Sequence, residues 1–313
     1  PAASKSNYSE PTKYGLSGFR ERKLSLPTPV GDLAAVLTLP KEKLLSPVVI
    51  MVHGSGPNDM DGTVKNNKVF YDLSLGLIDS GIATFRYNKR TLTYGGSFSD
   101  TATLYSEVIE DVLAAISLLK TQNGIDTNKI YVLGHSLGAM SAPLIAKYNS
   151  SLAGIVMMGA PCRGLWESLP MQYQYLKENT NQAITEQTVL EAKQFSTNIG
   201  KGYFSHETPK DSLFGLSASY WQYLRDYNAS STLKELSINA YVLQGERDYQ
   251  VNMDDYNCFK EKIGAKATIK FEVIPGSNHL FIFGKGKSVP AEYEIAGNVD
   301  LVVIKKIANW INK

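Results

Sequence analysis

The sequence predicts an α/β fold built on a mostly parallel, doubly wound sheet. Two observations carry that reading. Short apolar runs at 48–52, 82–85, 130–133, 154–158 and 240–243, and a last strand at 268–274, alternate with helical patterns, as βαβ units require. One of the strand-to-strand connections, between the runs at 154–158 and 240–243, is also far too long for a simple unit and is rich in Tyr, Trp and Phe. At 313 residues and 43% hydrophobic, the chain has ample material for such a core.

Taken in order, residues 1–18 are polar with scattered Ser, Pro and Gly, and read as a poorly ordered lead-in. Residues 19–26 alternate loosely and 33–39 are apolar, with Pro27, Pro29 and Gly31 between them; this predicts an antiparallel pair at the sheet edge. The run at 48–52 starts the parallel part. A helical pattern over 70–78 ends at Ser80-Gly81, and a longer one covers 105–119. After the strand at 154–158 the aromatic segment reads as a helical cap over the mouth of the sheet, with Trp166, Tyr220 and Trp221 as candidate walls of a substrate pocket. The last units are a helix over 254–263, capped by Asp254 and Asp255, a strand over 268–274 and a terminal helix over about 299–311. The predicted division is a core of 19–160 plus 239–313, interrupted by a cap of 161–238.

Composition narrows the function classes. Charged residues make up 20% of the chain, the net charge is +2, and no Lys/Arg cluster appears, so neither nucleic acid nor an anionic membrane is expected as partner. The longest apolar runs are about six to eight residues, too short to span a bilayer. Cys162 and Cys258 are two and far apart, which argues against a disulfide scaffold or a metal site; no metal and no cofactor are expected. The chain opens on Pro1 without a methionine, so an upstream segment was removed or the chain was trimmed. A cytoplasmic protein and a secreted one that has lost its signal segment both remain open, as does the oligomeric state.

The chemistry centres on Ile130-Tyr131-Val132-Leu133-Gly134-His135-Ser136-Leu137-Gly138-Ala139, an apolar strand running through a tight turn into a helical pattern. Gly134 and Gly138 flank His135-Ser136-Leu137 as G-x-S-x-G, the nucleophile elbow, where a serine on so sharp a bend leaves its neighbours no room for side chains. Serine is a weak nucleophile at neutral pH and needs a base, and the base needs an orienting group. Of four histidines, His53 ends the strand at 48–52, His135 adjoins the serine and points the wrong way, and His206 lies in the cap. His279, in the loop after the last strand, is the candidate base. The carboxylate should follow the strand at 240–243, where Asp248 is preferred to Glu246. Two backbone N–H groups must receive the oxyanion: that of Leu137, and one from His53-Gly54-Ser55-Gly56-Pro57, with Ser55 preferred to Gly56.

These residues lead to a resemblance. From about Leu33 onward the chain resembles serine esterases of the α/β-hydrolase fold, and more narrowly the EstD-like bacterial carboxylesterases grouped with serine aminopeptidase-type hydrolases. It rests on His53-Gly54-Ser55-Gly56-Pro57-Asn58-Asp59-Met60-Asp61-Gly62, Phe85-Arg86-Tyr87-Asn88-Lys89-Arg90-Thr91, the elbow, Leu243-Gln244-Gly245-Glu246-Arg247-Asp248-Tyr249-Gln250-Val251, and Asn278-His279-Leu280-Phe281. The resemblance implies a Ser136, Asp248, His279 triad and ester hydrolysis by an acyl-enzyme route. Asn88 stands where the family has an acidic residue, and Ala139 where a glycine is common. Soluble esters of short to medium acyl chain are the expected small-molecule substrates, because the cap segment has no long aliphatic face of the kind that opens onto lipid. The alternative is a serine exopeptidase or aminopeptidase of the same fold, which needs a carboxylate near the cap for the substrate's amino group; Glu178, Glu186, Glu191 and Glu207 are available. A third reading, a binding module on the same fold, has no use for an intact triad.

Overall fold

The computed structural model describes residues 7–95 and 101–313. Its frame is an eight-stranded sheet. β1 (Phe19–Thr28) and β2 (Gly31–Pro40) make the predicted antiparallel hairpin, with Leu26 opposite Leu33. β3 (Ser46–Val52) is buried along its whole length and leads to a two-stranded ribbon, β4 (Thr63–Val64) and β5 (Asn67–Lys68), and then to α1 (Val69–Ile78). β6 (Ala83–Tyr87) and α2 (Arg90–Tyr94) follow. A π turn, Tyr105–Ile109, runs directly into α3 (Glu110–Leu119). Next come β7 (Ile125–His135), α4 (Leu137–Tyr148) and β8 (Gly154–Met158). Four helices occupy the long connection: α5 (Leu165–Asn179), α6 (Glu186–Lys201), α7 (Ala218–Asp226) and α8 (Ala229–Glu235). β9 (Ala240–Gly245), α9 (Met253–Ile263), β10 (Ile269–Ile274) and α10 (Leu301–Ile311) complete the chain.

The strand order is β1-β2-β6-β3-β7-β8-β9-β10, and only β2 runs against the rest. Alternation along β3 divides the interior in two: Val48, Ile50 and Val52 join a core with α3 and α4, while Val49 and Met51 join one with α1 and α10. After β3 the chain crosses to β6 on one side and later returns to β7 on the other. Their loops therefore part at the carboxyl end of β3, the place where open α/β sheets bind ligands. Register puts Val52 beside Gly134, so the loop after β3 lies against the turn that holds Ser136.

Three expectations are corrected here. The lead-in has no helix or strand from residue 7 to 18, yet Tyr14 is buried in the core of α1 and α10 and donates its hydroxyl to Val299 O at 3.0 Å. Gly15 N and Ser17 N donate to the Asp79 carboxylate at 2.7 and 2.8 Å, which ties the segment down; residues 1–6 of the lead-in lie outside the described residues. Cys162 and Cys258, too few and too distant for a scaffold, are joined in a disulfide with Cα atoms 6.1 Å apart. Folding brings the start of the long connection onto α9, a proximity that sequence spacing does not encode. The cap of α9 is Asn252, whose side chain accepts from Asp254 N at 3.0 Å. Asp255 is instead fully buried, accepting from Cys162 N and Arg163 N and pairing with the Arg163 guanidinium, so it anchors the same junction as the disulfide. No helix among the described residues is long and apolar enough to cross a membrane.

Candidate active site

Ser136 sits between β7 and α4 with φ 55° and ψ −118°, a conformation costing a non-glycine residue about 1–3 kcal/mol. The elbow glycines are required by contact. A Cβ on Gly134 would stand 2.2 Å from Gly138 O, and one on Gly138 would stand 2.1 Å from Val52 O. Leu137 is the first residue of α4, so its N–H is among those that a helix leaves without an intrahelical acceptor.

The loops after β9 and β10 bring Asp248 and His279 together. Both are buried, and His279 Nδ1 lies 2.6 Å from Asp248 Oδ2. The other carboxylate oxygen, Oδ1, accepts from Gln250 N at 2.9 Å and Val251 N at 3.0 Å, the local ring an Asp closes with the backbone just after it. Asn278 shapes the next loop in the same way, its Oδ1 accepting from Leu280 N at 3.0 Å and Ile282 N at 3.2 Å. Glu246, the other candidate acid, accepts from Gly276 N, and Arg247 pairs with Glu292, leaving Asp248 to the histidine. Gly159, at φ +59°, was not singled out by the sequence; a Cβ there would lie 3.3 Å from both Asp248 Oδ2 and His279 Nδ1.

Two of the remaining histidines are supports. His135 Nε2 faces the His279 carbonyl at 2.8 Å, so the ring beside Ser136 holds the backbone of His279. His53 Nε2 faces the Asp59 carbonyl at 2.9 Å and fastens the loop after β3. Burial lowers both imidazoles to about 3, so both are neutral donors. His206 is exposed on the long connection. A group whose folded pKa falls below its unfolded value of about 6.5 binds its proton more tightly in the unfolded chain, so His53 withdraws stability as pH falls from about 6.5 toward 3. His53→Gln should therefore be destabilising at pH 7, with a deficit that shrinks by roughly 2 kcal/mol by about pH 4.5. Urea midpoints of both proteins at the two pH values check this; a constant deficit would show that His53 takes up its proton while folded.

Ser136, His135 and His279 open onto one cavity of about 390 Å³. Its walls are largely apolar, among them Val64, Phe70, Leu165, Leu169, Phe214 and Trp221, with Asn58, Ser168, Gln172 and Gln250 as polar groups. No Asp, Glu, Lys or Arg lines it among the described residues. Gly54 and Ser55 belong to this lining and Gly56 does not; the Gly56 carbonyl is turned onto Asn58 Nδ2 and Thr91 Oγ1. Of the three aromatic candidates only Trp221 is a wall. Trp166 lines a separate hollow with Arg163 and Tyr227, and Tyr220 is buried with its hydroxyl donating to Glu107. Adjacent residues on a helix point about 100° apart, so Tyr220 and Trp221 on α7 cannot face the same space, and aromatic content alone does not say which one turns inward.

Comparison with known proteins agrees with this geometry. The BD-FAE family profile matches residues 36–263. Esterase EstD of Thermotoga maritima is 38% identical over 312 residues, covering 99% of this chain and 72% of that protein. Among solved structures, Est1E from Butyrivibrio proteoclasticus superposes with a TM-score of 0.60 at 16% identity, over 93% of this chain and 97% of that one. The esterase domain of a Rhodothermus marinus protein gives 0.56 at 17% identity, over 93% and 97%. With a buried Asp–His pair opening beside an elbow serine, and with these relatives, the chain belongs to the BD-FAE family and is a carboxylesterase-type hydrolase of the α/β-hydrolase fold.

Proposed function

We propose that the protein hydrolyses soluble carboxylic esters of short to medium acyl chain through an acyl-enzyme, with Ser136 as nucleophile, His279 as base and Asp248 as the orienting carboxylate. The observation that carries this reading is the buried 2.6 Å contact between Asp248 and His279, which lines the same cavity as Ser136. Asp248 accepts the Nδ1 proton of His279, which leaves Nε2 as the basic nitrogen. Ser136 Oγ attacks the ester carbonyl carbon as its proton passes to His279 Nε2, and the carbonyl oxygen becomes an oxyanion facing the N–H groups of Leu137 and Ser55. Collapse expels the alcohol, which takes the proton from His279. Water then enters along the same path, releases the carboxylic acid and restores Ser136. His135 keeps the base in reach by holding its backbone.

The connection at 161–238 acts in this scheme as a cap. Leu165, Leu169, Phe214 and Trp221 give the cavity flat apolar walls, and its volume lies toward the small end of ligand pockets. The exopeptidase reading lacks its anchor, because Glu178, Glu186, Glu191 and Glu207 all lie outside the lining. Measuring kcat/KM on p-nitrophenyl esters from acetate to palmitate, beside aminoacyl arylamides, tests both points. A maximum between acetate and octanoate with negligible arylamide turnover is expected. A steady rise to palmitate would mean a long acyl tunnel, and preferred arylamide cleavage would mean a peptidase.

A further inference from the structure

The peptide beside Ser136 is held from behind by a buried cation. Gly54 lies so close to the serine that a Cβ there would stand 3.2 Å from Ser136 Cβ. Its carbonyl accepts from Lys89 Nζ at 2.8 Å and from Asn58 Nδ2 at 3.3 Å. Lys89 follows β6, is 2% exposed and does not line the cavity, whereas Gly54 and Ser55 both do. Its ammonium pairs at 2.5 Å with Glu107, which is also buried, sits in the π turn before α3, and accepts the hydroxyl of Tyr220 from α7. π turns are often kept where a side chain must be placed for function.

In a planar trans peptide the carbonyl of one residue and the N–H of the next point in opposite directions. With the Gly54 carbonyl engaged by Lys89, which lies outside the cavity lining, the Ser55 N–H of the same peptide points the opposite way from that cation, and Ser55 lines the cavity. A cation on that carbonyl also polarises the peptide and makes its N–H a stronger donor. We propose that Lys89, fixed by Glu107 and Tyr220, is a positioning residue that aims and strengthens the Ser55 N–H as an oxyanion donor, and so ties the oxyanion hole to the helix that supplies the Trp221 wall. This rests on the reading of Ser136 as the nucleophile. Without Lys89 the Gly54–Ser55 peptide is free to turn, and the donor that should meet the developing charge is lost while the substrate's ground-state contacts remain. The relay should therefore act on kcat and leave KM largely alone.

The test compares wild type with the double variant Lys89→Met/Glu107→Gln, which removes both buried charges together so that neither is left unpaired, and with Tyr220→Phe, which removes one hydroxyl. The readouts are kcat and KM on the preferred p-nitrophenyl ester, inhibition by a trifluoromethyl ketone of matched acyl chain, and melting temperature. The double variant should lose roughly 10²- to 10³-fold in kcat, the range for one oxyanion donor, with KM within about threefold. Affinity for the ketone, whose serine adduct places an oxyanion in the hole, should fall in parallel. Tyr220→Phe should lose about fivefold in kcat, as expected for one buried hydrogen bond. Folded variants with wild-type kcat, or a loss shared between kcat and KM that follows melting temperature, would overturn the proposal. If the double variant does not fold, Tyr220→Phe decides alone. Ser136→Ala, run alongside, separates the two levels: inactive Ser136→Ala with fully active relay variants removes the relay only, whereas active Ser136→Ala removes the reading beneath it.

Discussion

Ser136→Ala is expected to abolish ester turnover, to below about one part in 10⁴ of the wild-type kcat, while leaving the protein folded. In the proposed mechanism the hydroxyl is the atom that attacks, so no neighbour replaces it. The fold should tolerate the change because only one oxygen is removed and the positive φ is forced by the surrounding backbone, which both residues must satisfy equally. Activity on the preferred ester and a melting curve together check it. A folded variant that keeps more than a few per cent of activity would assign the nucleophile elsewhere. A fluorophosphonate probe should label wild type at Ser136 and fail to label the variant.

Asp248→Asn should cost on the order of 10⁴ in kcat, the size of effect seen when the carboxylate of such a triad is neutralised and the imidazole settles in the wrong tautomer. Here the physical cause is visible. Oδ1 of Asp248 is committed to Gln250 N and Val251 N, so an amide placed there keeps its oxygen on those donors and turns its NH₂ toward His279. The imidazole would then have to present Nδ1 as acceptor and carry its proton on Nε2, where it cannot take one from serine. Loop geometry should survive, which a wild-type melting temperature would confirm. Asp255→Asn offers the contrast: Asp255 holds Cys162, Arg163 and the start of the long connection after β8, so its loss should lower stability while ester turnover persists. If Asp248→Asn is mild, the histidine is oriented by something other than this carboxylate.

Most of the frame was legible because its signals are local. The central parallel strands announced themselves as runs of apolar residues and β10 as a strand pattern, and the elbow, the aspartate and the histidine each follow closely on one of these segments. What was hidden depends on contacts between distant parts of the chain. Tyr14 is one aromatic in a polar stretch and has no periodicity to betray that it plugs the core of α1 and α10. Lys89 and Arg90, two adjacent cations at the end of a strand, look like a solvated turn; both are buried, one against Glu107 and the other against Asp111. Their acids lie on the other side of a crossover, so only a resemblance in the run Phe85 to Thr91 hinted at a role. The long connection at 161–238 shows the same limit. Its aromatic content marked it as ordered, but the direction of each ring is a property of how the helices settle on the sheet, and of Trp166, Tyr220 and Trp221 only the last lines the cavity of Ser136.

The bond between Cys162 and Cys258 gives the chain a closed ring that contains α5 to α8, β9 and the loop of Asp248. Any single cut in the backbone between those two cysteines, including one in the exposed stretch that joins α6 to α7, opens the ring without dividing the molecule. Ser136 would then lie on one fragment and His279 on the other, linked by sulfur as well as by the packing between neighbouring strands. Covalent continuity between the two halves of the site thus has two independent routes, one through peptide bonds and one through the disulfide, and only the second can be opened by a reductant.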